Sequence, residues 1–243
     1  MRQQFNRAVA LWGFIFPLAA HAALPEETVT LLYVERPPLM MRSPDGAVSG
    51  VLADSAKSIL TKADIPFVWR EVSPNRELAV IQNNNEPVCA VGRYKTSERQ
   101  AYSKFTNAIY RDSSHVGVAN LGLRVPDKIK AADLLGNPDV TLLIRDGYVL
   151  PASLQNLVDH MRAKRVGTYG TYAQMIGQVV AGKAQLAILT EEEEAYFRKT
   201  SPASSETYRV VHFSDVPLGE KRYLMCSKAV SDAVIEKINA QLK

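Results

Sequence analysis

The sequence predicts an α/β protein of two lobes joined by two strand-like crossovers, and three observations carry that expectation. Short apolar runs alternate with helically spaced segments as β-α-β-α-β from Val29 to Gly92, and a second alternating set runs from Ile129 to Leu189. A strand-like stretch, His115 to Asn120, separates the sets, and another, Tyr208 to Phe213, follows the second. A last strand and helix then close the chain, Arg222 to Cys226 and Asp232 to Leu242 with Ser231 as N-cap. Alternation of this kind implies sheets with parallel strands covered by helices.

Taken in order, Val29 to Glu35 is a β-run stopped by Arg36-Pro37-Pro38, because proline cannot continue a ladder. Pro44-Asp45-Gly46 is a turn. From Val51 to Ala63 the apolar residues recur at helical spacing, and Phe67 to Val72 is a second strand. Pro74 starts a helix through Arg76 to Gln82 that stops in Asn83-Asn84-Asn85, and the third strand is Val88 to Gly92. Ser97, Glu98 and Arg99 open a helix, and Phe105 to Tyr110 reads as the approach to the first crossover. In the second set Ile129 to Leu135, Ala152 to Met161 and Tyr172 to Ala181 are helices; Val140 to Ile144, Arg165 to Thr168 and Leu186 to Leu189 are strands. Tyr208 to Phe213 reads as the return crossover.

The first 22 residues differ from the rest. Arg2 and Arg7 precede an apolar stretch from Ala8 to Ala19, and Ala20-His21-Ala22 fits a small-x-small cleavage site. This predicts a secretory signal peptide, too short for a convincing membrane anchor. Its removal takes two arginines and no acid, so the net charge falls from +4 to +2. Charges are interspersed with no basic stripe, which argues against a nucleic-acid partner. Cys89 and Cys226 would enter an oxidising compartment, as buried free thiols or as one disulfide, the reading we favour. The four histidines are scattered, no HExxH or CxxC occurs, and no serine stands in a nucleophile-elbow motif. A covalent or metal enzyme is therefore not expected, nor is a cofactor.

The stretch that carries most chemistry is residues 86–110, EPVCAVGRYKTSERQAYSKFTNAIY. A buried strand ends in glycine, and a helix opens with a guanidinium one turn in, which together suit a carboxylate or phosphate. The other polar turns also fall at strand ends, where crevices form in open parallel sheets: Glu35-Arg36, Asp146-Gly147-Tyr148, Thr168 to Thr171, and Thr190-Glu191.

With Asp45-Gly46…Gly50, the strand–turn–Ser97-Glu98-Arg99 core, Phe105-Thr106…Ile109-Tyr110, Gly182-Lys183 before a strand, and Tyr223…Ser227-Lys228, this layout resembles the periplasmic solute-binding proteins of family 3, the polar amino acid type. The resemblance covers nearly the whole chain after residue 22. It implies a type II periplasmic-binding fold, with lobe 1 as residues 24–116 plus 213–243 and lobe 2 as residues 117–212. It further implies a monomeric periplasmic protein that holds a small carboxylate-bearing ligand between the lobes, closes about a hinge and meets an ABC-type membrane permease. In this fold the returning strand lies beside the third, so Cys89 and Cys226 can meet.

By the same resemblance Arg99 is the carboxylate anchor, and Gly92 and Tyr94 line its pocket. Against these stand plainer readings: a surface arginine, a strand-ending turn and an exposed aromatic. Arg36 and Arg76 fall near ligand-facing positions, or are solvated charges. Tyr148 and Thr171 offer N–H groups and hydroxyls from the second lobe. Where many amino-acid binders place an acid for the ligand's ammonium, Thr190 stands, followed by Glu191. Either Glu191 takes over or no ammonium is bound; otherwise the Glu191–Glu194 run is a helix N-terminus favoured by its dipole. Asp146 in the cleft would repel an anion. Cyclohexadienyl dehydratases share the fold and use a cleft carboxylate as general acid, an enzymatic alternative to binding; a ligand-sensing protein is a third.

Overall fold

Strand pairing separates the chain into two lobes, each with its own sheet. A computed structural model describes residues 27–201 and 206–242; the expected signal peptide lies outside them. The first lobe runs Val29–Tyr33 (β1), Met41–Arg42 (β2), Val48–Ser49 (β3), Val51–Lys62 (α1), Phe67–Glu71 (β4), Pro74–Asn83 (α2), Val88–Arg93 (β5), Ser97–Tyr102 (α3) and Ser103–Arg111 (β6). The second runs His115–Asn120 (β7), Lys128–Ile129 (β8), Ala131–Leu135 (α4), Thr141–Arg145 (β9), Ala152–Asp159 (α5), Lys164–Thr168 (β10), Tyr172–Val180 (α6), Leu186–Thr190 (β11), Glu191–Thr200 (α7) and Tyr208–Phe213 (β12). Lys221–Ser227 (β13) and Asp232–Ala240 (α8) return to the first lobe.

The first sheet has the order β4-β1-β5-β13-β6 and the second β10-β9-β11-β7-β12-β8. In the first, β1 is parallel to β4 and β5, and β13 is inserted antiparallel between β5 and β6. In the second, β9 is parallel to β10 and β11, while β7 is antiparallel to β11 and β12. The chain crosses at residues 112–114 and 214–220, and the crossings lie side by side, with Asp112 N–H donating to Glu220 C=O at 3.0 Å.

The segment expected as the approach to the first crossover and the one expected as the strand-like return crossover are both strands of the sheets. Phe105 to Tyr110 belongs to β6, an edge strand paired with β13, and Tyr208 to Phe213 is β12, an interior strand between β7 and β8. Both pairings are long-range, so no local pattern announces them.

Periodicity explains the rest. In α1 the buried residues are Leu52, Ala53, Ala56, Ile59 and Leu60, one stripe of the helix. Every residue of β5 is buried, as a strand flanked on both sides requires. Cys89 and Cys226 face one another in the β5–β13 register and are bonded, S–S 2.00 Å. Gly92 has φ +74°, and the register passes from Tyr223↔Arg93 to Leu224↔Val91. Gly92 is thus the extra residue of a bulge, a left-handed position that glycine fills without strain. Just beyond the bulge, the Tyr94 hydroxyl reaches Asp112 at the first crossing, and Arg93 pairs with Glu77 of α2.

Candidate functional site

The C-terminal ends of β5, β9 and β11 and the segment after β1 face one another across the cleft between the lobes. Arg36 follows β1 and is 8% exposed. It reaches across the cleft, its Nε donating to Glu193 Oε1 of α7 at 2.5 Å. The guanidinium also lies 5.3 Å from the Tyr148 ring centre and 4.9 Å from that of Tyr172, within cation–π range. Glu193 completes a capping box, because its Oε2 accepts from the N–H and hydroxyl of Thr190, both at 3.1 Å. Burial pushes the Glu193 carboxyl up, but the Arg36 charge and hydrogen bond and the Thr190 N–H hold it below the usual range.

Neighbouring acids of α7 are also committed. Glu192 accepts from Ser113 N–H and Tyr110 hydroxyl, each at 2.9 Å, and from the Ser113 hydroxyl, so it ties the helix to the first crossing. Glu194 pairs with Arg198 and accepts from the Tyr208 hydroxyl at 2.8 Å.

Arg99 is buried in the first turns of α3. Its Nη1 donates to the Tyr94 carbonyl at 2.9 Å, while its N–H is capped by the Thr96 hydroxyl. Burial, and then the nearby Arg93 charge, lower its pKa. Glu77, fully buried on α2, pairs with Arg93; burial nevertheless raises its pKa. The Arg93 guanidinium lies 5.4 Å from the Tyr148 ring centre.

Arg145, at the end of β9, is 8% exposed and stacks on Tyr148 and Tyr172 at 4.5 and 5.2 Å. Its Nε is buried without a hydrogen-bond partner. Gly147 follows with φ +79°; a Cβ there would stand 2.9 Å from Asn75 Oδ1 and 3.2 Å from Pro74 Cβ, so glycine permits the two lobes to approach.

At the crossings Asp112 accepts from the Tyr94 hydroxyl at 2.5 Å and from Arg222 Nε. Arg222 also donates to Gly92 C=O and to the Tyr94 oxygen, each at 2.9 Å, and stacks on the Tyr94 ring. His115 lies beside this knot, its Nδ1 buried and unpartnered, and burial lowers its pKa to about 4.

Three voids follow these side chains. At the centre, Arg36, Tyr94, His115, Arg145, Tyr148, Tyr172, Thr190 and Glu193 leave only about 30 Å³, room for water rather than solute. Toward α3 a cavity of about 600 Å³ opens between Tyr94, Arg99 and Tyr102 on one lobe and Tyr148 to Asp159 on the other. Toward α7 a cavity of about 300 Å³ lies against Arg36, Arg145, Tyr172 and Phe197.

The structure therefore gathers Tyr94, Arg99, Arg36, Tyr148 and Thr190 around the cleft, with Gly92 behind them, its C=O accepting from Arg222. Three expected residues stand apart. Arg76 is exposed on α2 and lines an outer groove with Arg70 and Glu86. Thr171 borders the 300 Å³ cavity, but its hydroxyl and N–H are engaged with Gln174 in a capping box. Glu191 is exposed, and it is Glu193, two residues further along α7, that turns inward. Asp146 turns away from the cleft, its carboxylate packed over Gly167 and 3.9 Å from Arg165. Sequence reasoning missed Arg145, Tyr172, Glu193 and His115. The Arg145-Asp146-Gly147-Tyr148 turn at a strand end was a signal for the first.

No protein-family model and no curated protein matches the sequence. Solved structures do match. The periplasmic VFT2 domain of Bordetella pertussis BvgS superposes with TM-score 0.70 at 16% identity, over 88% of this chain and 86% of that one. A structure described for glutathione import via GshT and the cystine ABC importer TcyBC of Streptococcus mutans gives 0.69 at 17%, over 89% and 88%. The ancestral amino acid-binding protein AncCDT-1, a precursor of cyclohexadienyl dehydratase, gives 0.67 at 18%, over 88% and 87%. This chain has the type II periplasmic-binding fold. The sheet orders and paired crossings above are its framework in this chain.

Proposed function

We propose that the chain is a periplasmic solute-binding protein of the family-3 type, which captures a small carboxylate-bearing ligand between its lobes and presents the closed form to an ABC-type permease. The observation that carries this is the cavity of about 600 Å³ between the lobes, with the buried Arg99 in its wall and no carboxylate paired to that arginine among the described residues. A guanidinium whose fork is not matched by an internal acid is suited to a bidentate carboxylate. Lobe 1 is taken as residues 24–116 plus 213–243 and lobe 2 as residues 117–212, with the crossings acting as the hinge. The protein acts as a monomer, secreted by cleavage after Ala22.

Binding is favoured over dehydratase chemistry by the state of the α7 acids. Glu192, Glu193 and Glu194 are engaged by Ser113 and Tyr110, by Arg36 and Thr190, and by Arg198 and Tyr208, and Glu191 faces solvent, an arrangement that does not favour any of the four as proton donor to a bound substrate. The test is a thermal-shift screen of the secreted protein against amino acids, dicarboxylates and prephenate. A binder raises the midpoint by a stabilisation that grows with the logarithm of ligand concentration over Kd; at 100-fold over Kd the gain is about 2.7 kcal/mol. Arg99→Ala is expected to abolish the shift. A shift that persists in Arg99→Ala would move the anchor elsewhere, and turnover of prephenate would replace binding with catalysis.

A further inference from the structure

Charge around the cleft does not balance internally. Five arginines approach it: Arg36, Arg93, Arg99, Arg145 and Arg222. The buried carboxylates Glu193, Glu77 and Asp112 each pair with a different one, Arg36, Arg93 and Arg222. Arg99 and Arg145 have no ion-pair partner among the described residues, and Arg145 Nε has no hydrogen bond at all. Both are at least nine-tenths buried, where an unmatched charge is costly. Tyr94, Tyr148, Val149 and Leu150 line both the central void, which Arg145 borders, and the larger cavity, which Arg99 borders, so the two unmatched guanidinium groups flank adjoining spaces.

A cation finds nothing comparable. The acid that points into the cleft, Glu193, is filled by Arg36 and Thr190. Around the larger cavity, Glu98 and Asp159 are exposed and Glu220 is half-buried, so solvent screens what they offer. Glu192 is turned to Ser113 and Tyr110.

We propose that the cleft takes a dianion without an ammonium group, a small dicarboxylate held by Arg99 and Arg145, and that Arg36 sets this choice by occupying Glu193. The Arg36 guanidinium stands where a ligand's own cation would otherwise meet an acid. This rests on the solute-binding reading above.

Matched pairs test it: glutarate against glutamate and succinate against aspartate differ only by the α-ammonium. Isothermal titration of the wild-type protein is expected to favour each dicarboxylate by about tenfold or more, the least that an unpaired buried ammonium should cost. Arg36→Gln frees Glu193, so glutamate and aspartate are expected to gain and the preference to collapse. Arg36→Lys keeps a cation on Glu193 and should retain the preference. Wild-type protein that binds glutamate as tightly as glutarate would overturn this inference and leave the binding reading standing. A wild-type preference unchanged in Arg36→Gln would remove Arg36 from it. No response of the wild type to either class at millimolar concentration would overturn this inference, while the binding reading would still be decided by the wider thermal-shift screen.

Discussion

His115 opens β7 with its ring buried between the two crossings, and the charged groups that face it are Asp112, Arg222, Glu193 and Arg36. Burial is the dominant influence and lowers its pKa from 6.5 to about 4. The folded state therefore binds its proton less readily than the unfolded chain. The stability this contributes is complete above pH 6.5 and is lost as pH falls toward about 4. Glu192 and Glu193, held below 4.5, add losses at still lower pH, whereas the raised Glu77 acts in the opposite sense. A difference profile isolates the histidine. Wild type minus His115→Asn unfolding free energies, from urea melts at pH 4.5 to 7.5, should be flat above pH 6.5. Below it they should fall with a slope approaching about 1.4 kcal/mol per pH unit. A flat difference throughout would mean that the ring is solvated. At this scale the sequence was only partly legible. Arg36, Gly92, Tyr94 and Arg99 could be placed because each stands at a strand end or helix start. Arg145, Tyr172 and Glu193 could not, because their roles come from side chains meeting across the cleft.

Helix α7 shows what an element adds. Four consecutive glutamates at a helix start look like a dipole effect alone. In the fold they alternate by direction: Glu191 faces solvent, Glu192 holds the first crossing through Ser113 and Tyr110, and Glu193 holds Arg36. Two successive side chains thus bind the second lobe to the first, through groups that are internal to the protein. Glu193→Gln leaves the Arg36 guanidinium buried without its counter-charge, which costs about 3 kcal/mol unless the lobes part and water reaches it. Parting is the cheaper outcome, since the crossings are only three and seven residues long and already adjacent. Small-angle scattering of ligand-free Glu193→Gln is therefore expected to give a larger radius of gyration than wild type, with a lower melting midpoint. An unchanged radius would mean that packing at Tyr148 and Gly147, and not the ion pair, keeps the cleft shut. The element pattern itself was legible wherever local periodicity governs, as in α1, β5 and α6. What it could not supply was the partners of β6 and β12, which pair antiparallel with β13 and β7 far along the chain.

On the scale of the whole molecule, the first lobe is assembled from two distant parts of the chain, with the returning β13 inserted between β5 and β6. Its core mixes both parts: Val230, Val234 and Ile238 pack with Leu31, Leu52 and Leu60. No local contact brings these together, so the returning strand depends on long-range closure. The Cys89–Cys226 bond, spanning 137 residues, fixes that closure at the centre of the sheet. By restricting the unfolded chain, a bridge of this span contributes about 2–4 kcal/mol. An oxidising compartment already favoured a disulfide over free thiols, but that the two sulfurs lie on neighbouring strands was readable only through the fold that the resemblance implied. Guanidinium melts of oxidised wild type against Cys89→Ala/Cys226→Ala are expected to show a loss of that size. The affinity of the folded protein for its ligand should change little, because the bond lies on the buried β5–β13 register and the cleft is built from the strand ends. If the double variant kept full stability, the β13 insertion would owe its hold to side-chain packing alone. If it lost ligand affinity while remaining folded, the placement of Gly92 and Arg222, one bulge away from the bond, would depend on the covalent tie.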